Sequence, residues 1–429
     1  MDFDFDPRIL ALGSARMVDG IANSFLVVVL PLYIGSQVVA LPSFVGTAFQ
    51  IGPVGFTLTT ELLIGIVLSL FGFLNSFGQP FTGALSDRTG RRRIFLLVGL
   101  ALVAVGSAGY IFFTDYVAIV LMRALQGIGA AFTIPVAVAL VNELSDTDER
   151  GRNFGIFNAF RMLGFGTGPL VAGVVVASGP YEIADVALSG FNAAFLVSVA
   201  GAVLGFGLIA LLIHDPEQTR DKAADEISIN VRNPDGSGLD PVFALGVATI
   251  VMAVSLTIFA PLANTINARL DQGAFLFSVQ FGAAVLANVL FQIPLGRLSD
   301  RYGRRPFLLA GFVLLLPTTF VQGFVQSSML MTLARLLQGV AVAAVFAPSL
   351  ALAGDLAKEG QSGSTLSILT MGFGLGVAFG SLFSGILVGF SFAVPFVVAT
   401  FGGFIGLVLV YTQVGETVTD TASIPVPGD

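Results

Sequence analysis

The chemistry in this 429-residue sequence lies in a few ionisable side chains set inside long apolar stretches: Asp19, Arg123, Arg161 and Arg335. A charged group at the centre of a helix in lipid costs on the order of 3 kcal/mol, so it faces protein or water. Each is either a functional group or one half of a structural ion bridge between helices. Arg16 and Asp19 stand three apart, as do Asn158 and Arg161, which puts each pair on one helix face. Asp19 and Arg123 form the candidate proton-handling pair. A carboxylate beside a guanidinium stays ionised; parted from it in a low dielectric, its pKa rises and it binds a proton. Asp19 lies about ten residues (roughly 15 Å) along its helix from one face, Arg123 about seven (roughly 10 Å) from the other, so both approach the midplane.

A cavity for a polar solute needs polar lining. Asn23, Gln126, Asn158, Arg161, Asn264, Asn267, Gln280, Asn288, Arg335 and Gln338 are the candidates, with Asn75 and Gln292 beside them. For any one of them the alternative is a hydrogen bond between helices. There is no Cys and one His, His214, which excludes disulfides, thiolate chemistry and a His/Cys metal site. No tight His, Asp, Cys or Ser constellation and no Gly-x-x-x-x-Gly-Lys-[Ser/Thr] loop is present, so no catalytic residue, metal or cofactor is expected.

The elements that must position these groups follow from composition. Hydrophobic residues make up 55% of the chain and charged residues 11%, and the mean hydropathy is +0.91, where a soluble protein is about a quarter charged. Apolar runs of about 20 residues recur, each long enough to cross roughly 30 Å of hydrocarbon as a helix. They lack the alternation of a β-barrel. The pattern predicts an all-α membrane protein of about twelve helices in two pseudo-symmetric six-helix bundles. The first six fall near 9–34, 60–82, 94–113, 116–142, 153–178 and 189–213, and the second six near 241–268, 274–297, 306–326, 329–354, 363–388 and 391–412. Residues 1–213 form the first half, 214–240 a polar linker, and 241–429 the second half with a short tail. The acidic Met-Asp-Phe-Asp-Phe-Asp start is unlike a cleavable signal peptide.

Basic residues sit on one side of this arrangement: Arg88, Arg91, Arg92, Arg93, Arg150, Arg152, Arg220, Lys222, Arg232, Arg301, Arg304, Arg305 and Lys358, against Arg269 on the other. Short cytoplasmic loops are enriched in Lys and Arg. Both termini are therefore expected in the cytoplasm, in a cell membrane whose lipid is the chain's main solvent. The 27 acids against 20 bases suggest a high-salt habitat, such as that of a halophilic archaeon.

The halves repeat. Gly83-Ala-Leu-Ser-Asp87-Arg88-Thr-Gly90-Arg91-Arg92 returns as Gly296-Arg-Leu-Ser-Asp300-Arg301-Tyr-Gly303-Arg304-Arg305, 296 − 83 = 213 positions on. Arg123-Ala-Leu-Gln126-Gly127 returns as Arg335-Leu-Leu-Gln338-Gly339 at 335 − 123 = 212, as does Glu143 as Asp355 at 355 − 143 = 212. With these motifs the sequence resembles the major facilitator superfamily along the whole membrane region, in particular its twelve-helix proton-coupled drug antiporters. The resemblance implies that Asp87, Arg88, Arg91, Glu143, Asp300, Arg301, Arg304 and Asp355, around Gly83, Gly90 and Gly303, form a cytoplasmic gate. Asp87 and Asp300 are further expected to cap or face the helices that follow them. Gly164-x-x-x-Gly168-Pro169-x-x-x-Gly173 resembles the antiporter motif of helix five, with Ala172 where glycine is usual.

The reading that follows is a secondary transporter working by alternating access as a monomer: proton-coupled antiport, exporting a small amphipathic compound. Uptake or facilitated passage of a sugar or organic acid is the alternative on the same fold. A membrane enzyme or receptor is a remote one, and no nucleic-acid partner is expected.

Overall fold

The computed structural model describes residues 7–51, 54–145, 149–183, 186–215, 231–233, 238–356 and 362–417. Most of the expected linker, with Arg220 and Lys222, lies outside them, as does Lys358. Among the described residues twelve helices are long and apolar enough to cross a membrane. They are α1 (Pro7–Ile34), α2 (Thr60–Thr89), α3 (Arg92–Phe112), α4 (Tyr116–Glu143), α5 (Arg150–Ser178) and α6 (Gly190–Leu212) in the first half. The second half has α7 (Pro241–Leu270), α8 (Ala274–Tyr302), α9 (Arg304–Gln322), α10 (Ser328–Leu356), α11 (Ser362–Leu387) and α12 (Val394–Gln413).

Three features depart from the expected spans. Helix α7 is broken: its first segment ends at Thr257, a 3₁₀ turn occupies Ala260–Leu262, and α-helix resumes at Ala263. Pro261 stands in that turn, where its missing N–H cannot continue the ladder. Helices α2 and α8 run a turn or more past the expected ends, carrying Asp87 and Asp300 inside their last turns. Each stops where glycine takes a positive φ, 65° at Gly90 and 100° at Gly303, a backbone state that costs a residue with a Cβ. Two antiparallel hairpins stand in the loops between expected helices: β1 (Ala48–Ile51) with β2 (Val54–Thr57), and β3 (Tyr181–Ile183) with β4 (Val186–Leu188).

The end of the bundle carrying the α2–α3 and α8–α9 loops is called the basic face, the other the far face. Toward the far face one apolar cluster joins the halves, with Phe25, Leu30, Ile64 and Phe195 packed with Phe259, Ile266, Phe277 and Phe396. Toward the basic face it gives way to two clusters. One belongs to the first half alone (Leu12, Leu96, Leu140, Ile209) and the other to the second (Leu245, Leu308, Val345, Val410).

Candidate functional site

The helix caps on the basic face follow from the repeat. The chain enters α3 through Arg91, which makes no side-chain cap. Of the two expected roles Asp87 does not cap α3; it faces that helix's first residue, its carboxylate accepting from the Arg92 guanidinium. Arg92 also donates to Glu143, with Nη2 at 2.6 Å and Nε at 3.2 Å from Oε1, and its Nη1 donates to Ser86 Oγ at 3.0 Å. The Arg92 side chain is 5% exposed and that of Glu143 9%, so the pair is nearly removed from water. Arg91 and Arg88 are exposed.

In the second half Arg304 takes the same position, bonded to Asp355 and 3.3 Å from Asp300 Oδ1. Asp300 likewise caps no helix: α9 begins directly after Gly303. Arg301 is exposed and lies over the Tyr302 ring. Arg92 and Arg304 are thus the equivalent residues, 304 − 92 = 212, and Arg91 has no counterpart. Their neighbours agree, since Arg93 donates through Nη2 to the Ala210 carbonyl and Arg305 to that of Tyr411. An acid after the last helix of each half completes the match. Asp215 accepts from the Arg93 N–H at 2.7 Å, and Glu416 accepts from the Arg304 and Arg305 N–H groups at 3.0 and 2.9 Å. A carboxylate against exposed N–H groups at a helix start is favourable. Asp215 and Glu416 were missed in the sequence because their partners come from helices three elements away.

A second matched pair lies in the membrane interior. Arg123 Nη1 donates to Gln126 Oε1 at 3.0 Å, Gln126 Nε2 donates to Ser107 Oγ at 3.0 Å, and the guanidinium lies 4.3 Å from the Phe71 ring centre. Across the repeat, Arg335 Nη1 donates to Gln338 Oε1 at 2.6 Å, Gln338 Nε2 donates to Thr319 Oγ1 at 3.0 Å, and the guanidinium lies 4.2 Å from Phe259. All four Arg and Gln side chains are at most 1% exposed. Gln126, Arg335 and Gln338 therefore do not line an open cavity here; amide and aromatic partners hold them inside their own halves. The Asp19 side chain lies outside the described residues, so the expected Asp19–Arg123 pair does too.

Residues 12–241 and 242–424 each match the model of the Major Facilitator Superfamily. The chain belongs to this superfamily. Citrate exporter 1 of Aspergillus niger is 28% identical over 165 residues, 38% of this chain but only 29% of the exporter's length. Multidrug resistance protein MdtG of Escherichia coli (strain 55989 / EAEC) is 25% identical over 364 residues, 80% of each chain. In fold the chain is similar to a D-xylose-proton symporter, with TM-score 0.70 and 18% identity over 96% of this chain and 98% of that one. It is a multi-pass membrane transporter of a small molecule, not an enzyme.

The remaining candidates of this transporter fall into two groups. Asn264, Asn267 and Gln280 serve the far face instead of a central cavity. Asn264 Nδ2 donates across the halves to the Pro31 carbonyl at 2.8 Å, while Asn267 and Gln280 are tied together through Gln272. They go there because the break in α7 and the start of α8 lie at that end. Thr265 Oγ1 donates to Glu61 Oε1 at 2.5 Å and Thr59 Oγ1 to the Gly385 carbonyl at 3.4 Å, so these bonds too cross between the halves at the far face. Asn158 is exposed and accepts from Arg161 at 2.8 and 3.0 Å. Asn23 and Asn288 are half-buried, each with a buried carbonyl oxygen that has no partner among the described residues.

Helix α5 carries two seams along one glycine-rich stretch. A Cβ at Gly164 would run into the Met17 carbonyl oxygen, and one at Gly168 into Ser24 and the Ile21 carbonyl, all on α1. One at Gly173 would run into Ser278 on α8, and Pro169 lies beside Gly282 of the same helix. Gly83 stands against Pro135 of α4.

Proposed function

We propose that the chain is a proton-coupled antiporter that exports a small amphipathic compound across the cytoplasmic membrane as a monomer, and that this structure is its inward-open state. The observation that carries the coupling is the seam between α1 and α5. Asp19 stands in the chain between Met17 and Ile21, whose carbonyls meet Gly164 and Gly168. A proton taken up there removes a charge from the segment of α1 whose backbone makes this contact. Small residues let backbones approach in this way, so a change of charge on α1 passes to α5 and, through Gly173, to α8. The inward-open reading rests on three points. One apolar cluster spans both halves at the far face, two separate ones stand at the basic face, and each ion cluster stays within its half. The basic face is cytoplasmic by its arginines, with both termini on that side. Export is supported by the name of the MdtG relative. The acidic surplus fits a high-salt habitat.

The test is transport in proteoliposomes under an imposed pH gradient, with proton movement followed by an internal pH dye. Protons and solute should move in opposite directions in the wild-type protein. Asp19→Asn should bind solute but lose the response to the gradient. Full gradient-driven transport by Asp19→Asn would sink the assignment, and protons moving with the solute would make the protein an importer.

A further inference from the structure

The seam between α2 and α11 holds a site that the coupling machinery does not use. From the far face the two helices are closed: a Cβ at Gly65 would stand 2.5 Å from the Ser381 carbonyl, and one at Gly72 3.0 Å from the Ala378 methyl. Phe73 and Phe379 then meet edge to face across the halves with centroids 5.3 Å apart, flanked by Phe77 and Phe383. Just past them the seam parts into a cleft of about 120 Å³, open to solvent. Ser76, Gln79 and Pro80 of α2, Pro135 of α4, and Thr370 and Met371 of α11 line it. Gln79 stands ten residues before the end of α2 at Thr89, so the cleft lies about 15 Å in from the basic end of the helix.

Three properties define what fits. The cleft has no ionisable side chain among its lining residues, so a charged solute would find no counter-charge there. Ser76 is 2% exposed and its hydroxyl, set against Gly374, has no hydrogen-bond partner among the described residues, a demand that a solute hydroxyl, carbonyl or amide can meet. The Gln79 amide, fixed by its 3.0 Å bond to Asn75 Oδ1, adds a second polar point beside the proline, methionine and phenylalanine surface.

We propose that this cleft is a binding site for an uncharged, largely apolar solute that hydrogen-bonds Ser76. This deepens the export reading by naming where and in what charge state the amphipathic compound is held. Because both helices of the seam belong to different halves, occupancy ends when the seam closes, as alternating access requires.

The chain contains no Cys, so a single introduced thiol is a clean reporter. Thr370, exposed in the cleft, is replaced as Thr370→Cys, and its reaction with N-ethylmaleimide is followed in lipid nanodiscs at fixed pH. The uncharged dye Nile red, at about ten times its Kd, should slow labelling about tenfold because only the unoccupied fraction reacts. The cation rhodamine 6G and the anion fluorescein should leave the rate unchanged. Adding Met371→Trp, which fills the cleft, should abolish Nile red protection while labelling persists. Adding Ser76→Ala should weaken Nile red about two- to tenfold, the worth of one hydrogen bond. Absence of protection by Nile red, equal protection by either charged dye, or protection that survives Met371→Trp overturns the site. No gradient is present, so failure of proton coupling at Asp19 leaves this result untouched.

Discussion

Arg92 is the residue on which the basic end of the first half turns. It stands between Asp87 and Glu143 with 5% of its side chain exposed, so Arg92→Ala strands a buried carboxylate and should cost about 3 kcal/mol. Arg91→Ala, at an exposed position, should stay within about 0.5 kcal/mol of the parent. Thermal unfolding of the purified variants compares the two; equal losses would refute the assignment of Arg92 as the bridge. The Arg123–Gln126 pair allows a finer test. Gln126→Leu alone removes the acceptor of a buried guanidinium and should cost about 2 kcal/mol. Arg123→Met with Gln126→Leu should recover part of that loss, because no guanidinium is left unpaired, although the buried Ser107 and Tyr110 hydroxyls lose Gln126. If Arg123 serves coupling, the double variant folds well yet transports without responding to pH; a normal pH response would leave Arg123 purely structural.

Between elements, the seam of α1 with α5 sets how close two helices can stand. Gly164→Ala puts a methyl into the Met17 carbonyl, a backbone atom that cannot swing aside, and should cost about 1–3 kcal/mol through overpacking. Gly155 lies on the same helix with nothing within 4 Å of an added Cβ. Gly155→Ala should instead stabilise by about 0.5–1 kcal/mol, the backbone entropy that glycine loses in a helix. Opposite signs in the two unfolding temperatures are the expected result, and a Gly164→Ala protein as stable as its parent would show that the seam is loose.

At the scale of the whole molecule, alternating access requires the far face to part. The contacts that hold it shut include the bond from Thr265 to Glu61. Glu61→Cys with Thr265→Cys, joined by a short bifunctional maleimide, should stop solute transport, while either single variant treated alike should still transport. Turnover that continues in the cross-linked protein would mean that the far face does not open at this point. Glu61→Ala should act in the other direction, raising the fraction of molecules open to the far side. Accessibility of a cysteine at Thr265 to an impermeant reagent reads that fraction.

The sequence by itself determined that the chain crosses a membrane about twelve times, because apolar length against bilayer thickness is a one-dimensional quantity. It also determined the repeat, and it held an unused clue in the change of spacing from 213 at Asp87 and Asp300 to 212 at Arg123 and Arg335. One residue must drop out between those motifs, and dropping the counterpart of Arg91 pairs Arg92 with Arg304. Only the tertiary structure decided what the polar residues touch. Gln126 and Asn264 are alike as amides in apolar helices, yet one is consumed inside a half and the other crosses to Pro31 at the far face. That difference depends on helix rotation and on the break at Pro261, which hydropathy does not encode. Nor does a linear pattern place Asp215 and Glu416 at the starts of α3 and α9, or open the α2–α11 seam beside Ser76. Such contacts join residues as many as 326 positions apart, and only the packing of whole helices brings them together.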